Sequence, residues 1–178
     1  INPGAPTTDF GDYPGFPMAS QTINAAIRVG ALPTDGELSN PSSGLANADD
    51  NTGTDDEDLT IPSFTVGTAS ALTVPVAVTA ASLSGSTSRI NVFVDWNGDG
   101  DVADPNETQT AQAVTSSGNR TFNLTPPVGT APGTKYLRIR FTEGSTAPAF
   151  SGASALKGEV EDYAVTVNNP SITLGNLV

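Results

Sequence analysis

Apolar positions in this chain come in short segments of Val, Ile, Thr and Phe, separated by turns of Gly, Pro, Asn and Ser. That pattern predicts strands. The segments are Ile23–Val29, Leu59–Val66, Ala71–Ala80, Arg89–Asp95, Thr108–Thr115, Arg120–Thr125, Tyr136–Thr142 and Val160–Val167. Tyr136-Leu-Arg-Ile-Arg-Phe141 alternates cleanly, which directs Leu137, Ile139 and Phe141 to a core and Arg138 and Arg140 to the other face. Pro75, inside the third segment, has no N–H for a ladder and predicts a strand edge or bulge. The one candidate helical turn lies near Ser20–Ile27. About eight short strands at this spacing predict an all-β fold, a β-sandwich of Ig-like or jelly-roll-like form with long acidic loops.

Residues 1–8 are rich in Pro and Gly and read as a linker or ordered lead-in. Residues 9–167 read as the sandwich domain, and 168–178 as a linker followed by a C-terminal strand. Thr34–Asp58 is a polar loop too long for a simple connection, and such loops are commonly functional or ordered by a metal.

Asp95-Trp-Asn-Gly-Asp-Gly-Asp101 carries the most specific chemistry. Oxygen-bearing side chains at alternate positions around a glycine turn suit Ca²⁺, which takes six to eight hard oxygen ligands at about 2.3–2.6 Å. An EF-hand loop would close with Glu at position 106, but that residue is Asn106 and the acid is Glu107. The segment before it reads as a strand. The expectation is therefore a strand-to-loop calcium site formed by Asp95, Asn97, Asp99 and Asp101, with Asp104 or Glu107 closing the sphere. The plain alternative is a solvated Asp/Asn/Gly turn.

Acids recur elsewhere. Asp49, Asp50, Asp55, Asp56, Glu57 and Asp58 crowd the long loop, Asp9 and Asp12 lie near the start, and Glu159, Glu161 and Asp162 lie near the end. Crowded carboxylates repel one another, and a cation removes that cost. Asp9 or Asp12, acids among Asp55, Asp56 and Asp58, and Glu159, Glu161 or Asp162 are expected to converge on a second cation. An exposed acidic turn is the bland reading of each group taken alone.

Composition narrows the function. Nineteen acids against seven bases give a net charge of −12. That opposes nucleic-acid binding and adsorption to anionic lipid. The chain has no Cys and no His, which removes disulfides, thiol catalysis and the usual zinc and general-base residues. No apolar run approaches the ~20 residues of a membrane span. No signal peptide is evident, so Ile1 reads as a mature or trimmed start. Paired acids suit a glycosidase, but the Asp/Gly/Asn spacing fits ligation better than acid catalysis. No G-x-S-x-G elbow and no phosphate loop before a helix is present. Three N-x-S/T matches, at Asn106, Asn119 and Asn123, are read as chance in a Thr-rich chain.

In sequence order, Asp9-Phe-Gly-Asp12, Asn47-Ala-Asp-Asp50 with Gly53-Thr-Asp-Asp-Glu-Asp58, Val94-Asp-Trp-Asn-Gly-Asp-Gly-Asp101 and Gly158-Glu-Val-Glu-Asp-Tyr163 resemble the signature of the GEVEDY domain. This module occurs in large secreted and surface proteins of bacteria. The resemblance covers about residues 9 to 167. It implies a secreted or cell-surface β-sandwich, commonly one module among many, with no established enzymatic activity. Asp12-Tyr-Pro14 departs from the Asp-Ala-Pro common in similar modules. Ser171-Ile-Thr-Leu-Gly-Asn-Leu-Val178 is similar to the opening strand of B-repeat-type, calcium-stabilised surface modules.

Two function classes follow as expectations. The first is a non-catalytic, calcium-stabilised structural or adhesive module, part of an adhesin or of an extracellular filament. Its partners are neighbouring modules or identical subunits joined end to end, with Ile172, Leu174, Leu177 and Val178 as apolar surface for an added strand. The alternative is a glycan-binding module using Trp96 or Tyr13 as a platform, with Trp96 better explained as a packing anchor.

Overall fold

A computed structural model describes residues 7–47, 56–79 and 87–171. The described residues hold ten strands in two sheets and no helix. The larger sheet runs β1 (Thr8–Phe10), β2 (Ala19–Thr22), β10 (Gly152–Asn168), β9 (Gly133–Thr142), β6 (Ser88–Asp95), β7 (Gln112–Val114), with β4 (Phe64–Thr65) paired to the far end of β10. The smaller sheet has the order β3 (Ile27–Val29), β5 (Ser70–Val78), β8 (Gly118–Leu124). All pairings are antiparallel except those of β10 with β2 and with β4.

Strand alternation builds the core. Ile27, Val29, Leu72, Val74, Val76, Phe122 and Leu124 of the small sheet are buried. They cluster with Ile90, Val92, Val94, Leu137, Ile139, Phe141, Tyr163, Val165 and Val167 of the large sheet. Each such side chain contributes about 1.5–3 kcal/mol when fully buried. The expectation for Leu137, Ile139 and Phe141 is met, and the all-β sandwich with it.

The opposite face of β9 is also sealed. Arg138 and Arg140 are almost fully buried. Arg138 donates to Pro17 O at 2.7 Å and Phe150 O at 3.1 Å. Arg140 donates to the carbonyls of Ser20 and Gly152 at 2.9 and 2.8 Å. The rings of Phe16 and Phe150 stand 4.9 Å apart and both face the Arg138 guanidinium.

Several boundaries differ from the sequence reading. No helical turn forms at Ser20–Ile27. Ala19–Thr22 is strand β2, which pairs with β1 and β10, and Ala19, Ser20 and Gln21 are buried there. Thr8 already belongs to β1, so the lead-in does not extend to residue 8. Pro75 sits in the middle strand of the small sheet. Its carbonyl accepts Gly30 N at 2.9 Å, one residue beyond the last β3–β5 pair, Val29 with Val76. Its missing donor thus falls where the ladder has stopped. Residues 172–178 of the C-terminal strand expected at 171–178, and Asp55, lie outside the described residues. No helix among the described residues is long and apolar enough to cross a membrane.

Candidate metal centres

Strand β6 ends at Asp95, and the chain turns at once into a loop held by two buried acids. Asp95 Oδ1 accepts Gly98 N at 2.6 Å and its Oδ2 accepts Gly100 N at 2.9 Å. Both glycines have positive φ, 86° and 88°, which any side chain would strain. Glu107 closes the loop from the other end. Its Oε1 accepts Trp96 N at 2.9 Å and its Oε2 accepts Asp104 N at 3.2 Å. Burial pushes the Glu107 carboxyl above its ordinary range, opposed by these hydrogen bonds. Trp96 is buried, stands 5.5 Å from Phe64 and donates its indole N–H to Asn106 O at 3.1 Å. It anchors the loop to the core and offers no exposed ring to a sugar.

With the backbone so fixed, Asp99, Asp101 and Asp104 point outward together. One carboxylate oxygen from each lies within 4.8 Å of the other two, and all three residues are exposed. Asn97 joins them, its Nδ2 reaching Asp99 Oδ2 at 2.9 Å and Asp104 Oδ2 at 2.7 Å. The group is able to hold a metal ion. Of the six expected ligands, Asp95 and Glu107 are therefore the frame, Asp99, Asp101 and Asp104 form the open oxygen cluster, and Asn97 turns its amide N–H towards that cluster while its oxygen accepts Asp99 N. Sequence spacing alone does not separate these roles, because both kinds of residue are acids in one run.

The second set divides by strand face. Glu159 and Glu161 are two apart on β10 and share its inner face with Tyr163. Glu159, Glu161, Asp9 and Asp56 are at most 3% exposed. Thr34 Oγ1 donates to Glu159 Oε1 at 2.5 Å, and Val29 N donates to Glu159 Oε2. Tyr163 Oη donates to Glu161 Oε2 at 2.6 Å. Val160 N donates to Asp9 Oδ2 at 2.5 Å, and Asp35 N to Asp56 Oδ2 at 2.9 Å. Asp58, half-buried, takes Ala31 N and Leu32 N at 2.8 and 3.0 Å.

These inner acids feel one another. Burial, then the charge of Glu159, pushes the Asp9 carboxyl well above its ordinary range. Burial pushes Glu159 up to about 8, against the hydrogen bonds from Thr34 and Val29, and the charges of Asp56 and Asp58 add to the rise. Glu161 is raised by burial and then by Glu159, Asp56 and Asp58.

Asp162 does not join this group. It lies on the outer face of β10, and its carboxylate takes Arg138 Nε and Nη2 at 2.7 Å each, with both side chains fully buried. Its second oxygen also accepts Tyr13 N at 3.0 Å. The expectation that Asp162 shares a cation with Glu159 and Glu161 is corrected by this alternation: Arg138 already neutralises it. Asp12 is buried, and its carbonyl accepts Ser43 N at 3.1 Å.

Sequence reading missed Tyr163 and Thr34 as second partners of the inner acids. Tyr163 was findable, two residues after Glu161 on the same face. Thr34 sits in an irregular loop with no periodicity to mark it.

No curated protein and no solved structure matches the chain. The sequence model of the GEVED domain matches residues 89–166, a shorter span than the resemblance over 9 to 167. The matched stretch runs from β6 nearly to the end of β10 and includes the 95–107 loop, Glu159 and Glu161. Over residues 89–166 the chain is similar to the GEVED domain.

Proposed function

We propose that this chain is a calcium-stabilised, non-catalytic module of an extracellular or bacterial cell-surface protein. It acts as a structural or adhesive link in a surface adhesin or an extracellular filament, joined end to end with neighbouring modules or identical subunits. The observation that carries this reading is the convergence of Asp99, Asp101 and Asp104 within 4.8 Å on a loop framed by Asp95 and Glu107. Hard oxygens in an open, exposed loop suit Ca²⁺. With a net charge of −12, the domain gains from any bound divalent cation. The non-catalytic part rests on a chain with neither His nor Cys, and on acids whose positions serve ligation.

Electron microscopy of the native material tests the assembly. Polymers or ordered arrays are expected; free, unassociated domains contradict it. The alternative is glycan recognition. Tyr13 and Tyr136 stack with ring centroids 3.5 Å apart, and both are half-buried. A glycan array with Tyr13→Ala as control decides it: binding lost in that variant favours the glycan module.

A further inference from the structure

Buried acids that the surface loop does not use gather beside strand β10. Asp9, Asp56, Glu159 and Glu161 come from β1, the loop after residue 55, and β10, and all are buried. Buried carboxylates normally meet a Lys or Arg, because an unpaired buried charge is very costly. Glu159 and Glu161 have no such partner among the described residues, where the ion pair is Arg138–Asp162 on the other face. Arg140 spends its hydrogen bonds on Gln21 and on carbonyls.

One atom points to a ligand directly. Glu161 is 1% exposed and its Oε1 has no hydrogen-bond partner. Its other oxygen is fixed by Tyr163. Glu161 is two residues from Glu159 on the same strand face, so the orphan oxygen belongs to the acid group. A buried acceptor left unmade costs about 1–3 kcal/mol, more for a charged group.

We infer that Asp9, Asp56, Glu159 and Glu161 form a second, interior Ca²⁺ site, distinct from the 95–107 loop, with the orphan oxygen of Glu161 as one of its ligands. Ca²⁺ fits better than Mg²⁺. An all-protein, dry oxygen cage suits the larger ion, whereas Mg²⁺ dehydrates reluctantly and demands octahedral geometry. Among the described residues, the surface triad is the group in which one oxygen per residue lies within 4.8 Å of the others. The inner acids fall outside that limit. The site would tie the first strand, the acidic loop and the last strand into one unit.

The test is the number of Ca²⁺ ions bound per full-length chain after chelator stripping and reloading with CaCl₂. A variant with Asp99→Asn, Asp101→Asn and Asp104→Asn is expected to lose one ion and retain one. Glu161→Gln, which keeps the shape, is expected to lose a different ion or weaken its binding at least tenfold while the loop ion stays. Loss of all bound calcium in the triple variant overturns the interior site, as does a wild-type count and affinity in Glu161→Gln. Should Glu161→Gln fail to fold, the triple variant decides alone. A triple variant that loses nothing counts against the loop site only, so the two claims fail separately.

Discussion

Asp9 and Val160, 151 residues apart, are joined by a buried hydrogen bond of 2.5 Å from the Val160 N–H to Asp9 Oδ2. The bond answers a defect in the sheet. Strand β2 last pairs with β10 at Thr22 and Lys157, so the Val160 N–H faces a side with no further strand. A carboxylate from β1 supplies the acceptor that the ladder lacks. Asp9→Ala leaves that N–H buried and unpaired, and is expected to destabilise by about 1–3 kcal/mol. Asp9→Asn keeps an acceptor and removes the charge. In chelator it is expected to match or exceed wild type in urea unfolding; in Ca²⁺ it is expected to fall below it.

The inner acids set a pH dependence whose sign follows from the raised Glu159. Its folded value of about 8 exceeds the ordinary 4.5. The folded state therefore holds the proton more tightly. In chelator, this contribution is fully present below about pH 4.5, is lost as pH rises towards 8, and changes no further above it. Asp9 and Glu161 act in the same direction. With Ca²⁺ present the slope reverses over the same window, because ligands must lose their protons to bind. Melting temperatures across pH 5 to 9, with and without Ca²⁺, check both slopes; a rise with pH in chelator contradicts the account.

Arg138 and Asp162 test the outer face. Removing one partner strands the other as a buried charge, a loss of about 3–5 kcal/mol. Asp162→Ala is expected to lose that much in denaturant unfolding. It also frees Tyr13 N, which Asp162 holds at 3.0 Å, so faster amide exchange is expected at Tyr13.

Gly158 opens the Gly-Glu-Val-Glu-Asp-Tyr run, and its need is steric. A Cβ there would collide with Gln21 Nε2 and with the Phe141 carbonyl. Those two groups are themselves hydrogen-bonded at 2.8 Å. Gly158→Ala must break that bond or shift the β9–β10 register, and a loss of about 1–3 kcal/mol is expected, in the range of overpacked sites. A wild-type midpoint in the variant would show that the strands yield freely.

The sequence made the layers legible where burial follows alternation. Leu137, Ile139 and Phe141 declare their face because β9 is regular throughout. The 95–107 loop was legible because its oxygen-bearing residues are local in sequence. β1 and β2 were not legible. Ala19-Ser-Gln-Thr22 has no apolar alternation and forms a strand only because β10 offers an unpaired edge. The split of Asp162 from Glu159 and Glu161 was open to a period-two reading, but its partner Arg138 lies on another strand. Convergence of Asp9 with Glu159 depends on the strand order, which composition does not encode.

Thermal unfolding of the full chain in Ca²⁺ and in chelator tests the central claim, that bound calcium stabilises this module, most directly. At a hundredfold excess over Kd, one site stabilises by about 2.7 kcal/mol. For a domain of this size that corresponds to a rise of roughly 5–11 °C. The rise is expected in wild type and is expected to shrink in the variant with Asp99, Asp101 and Asp104 changed to Asn. Superimposable transitions in Ca²⁺ and chelator, with no ion bound to the folded chain, would contradict the account.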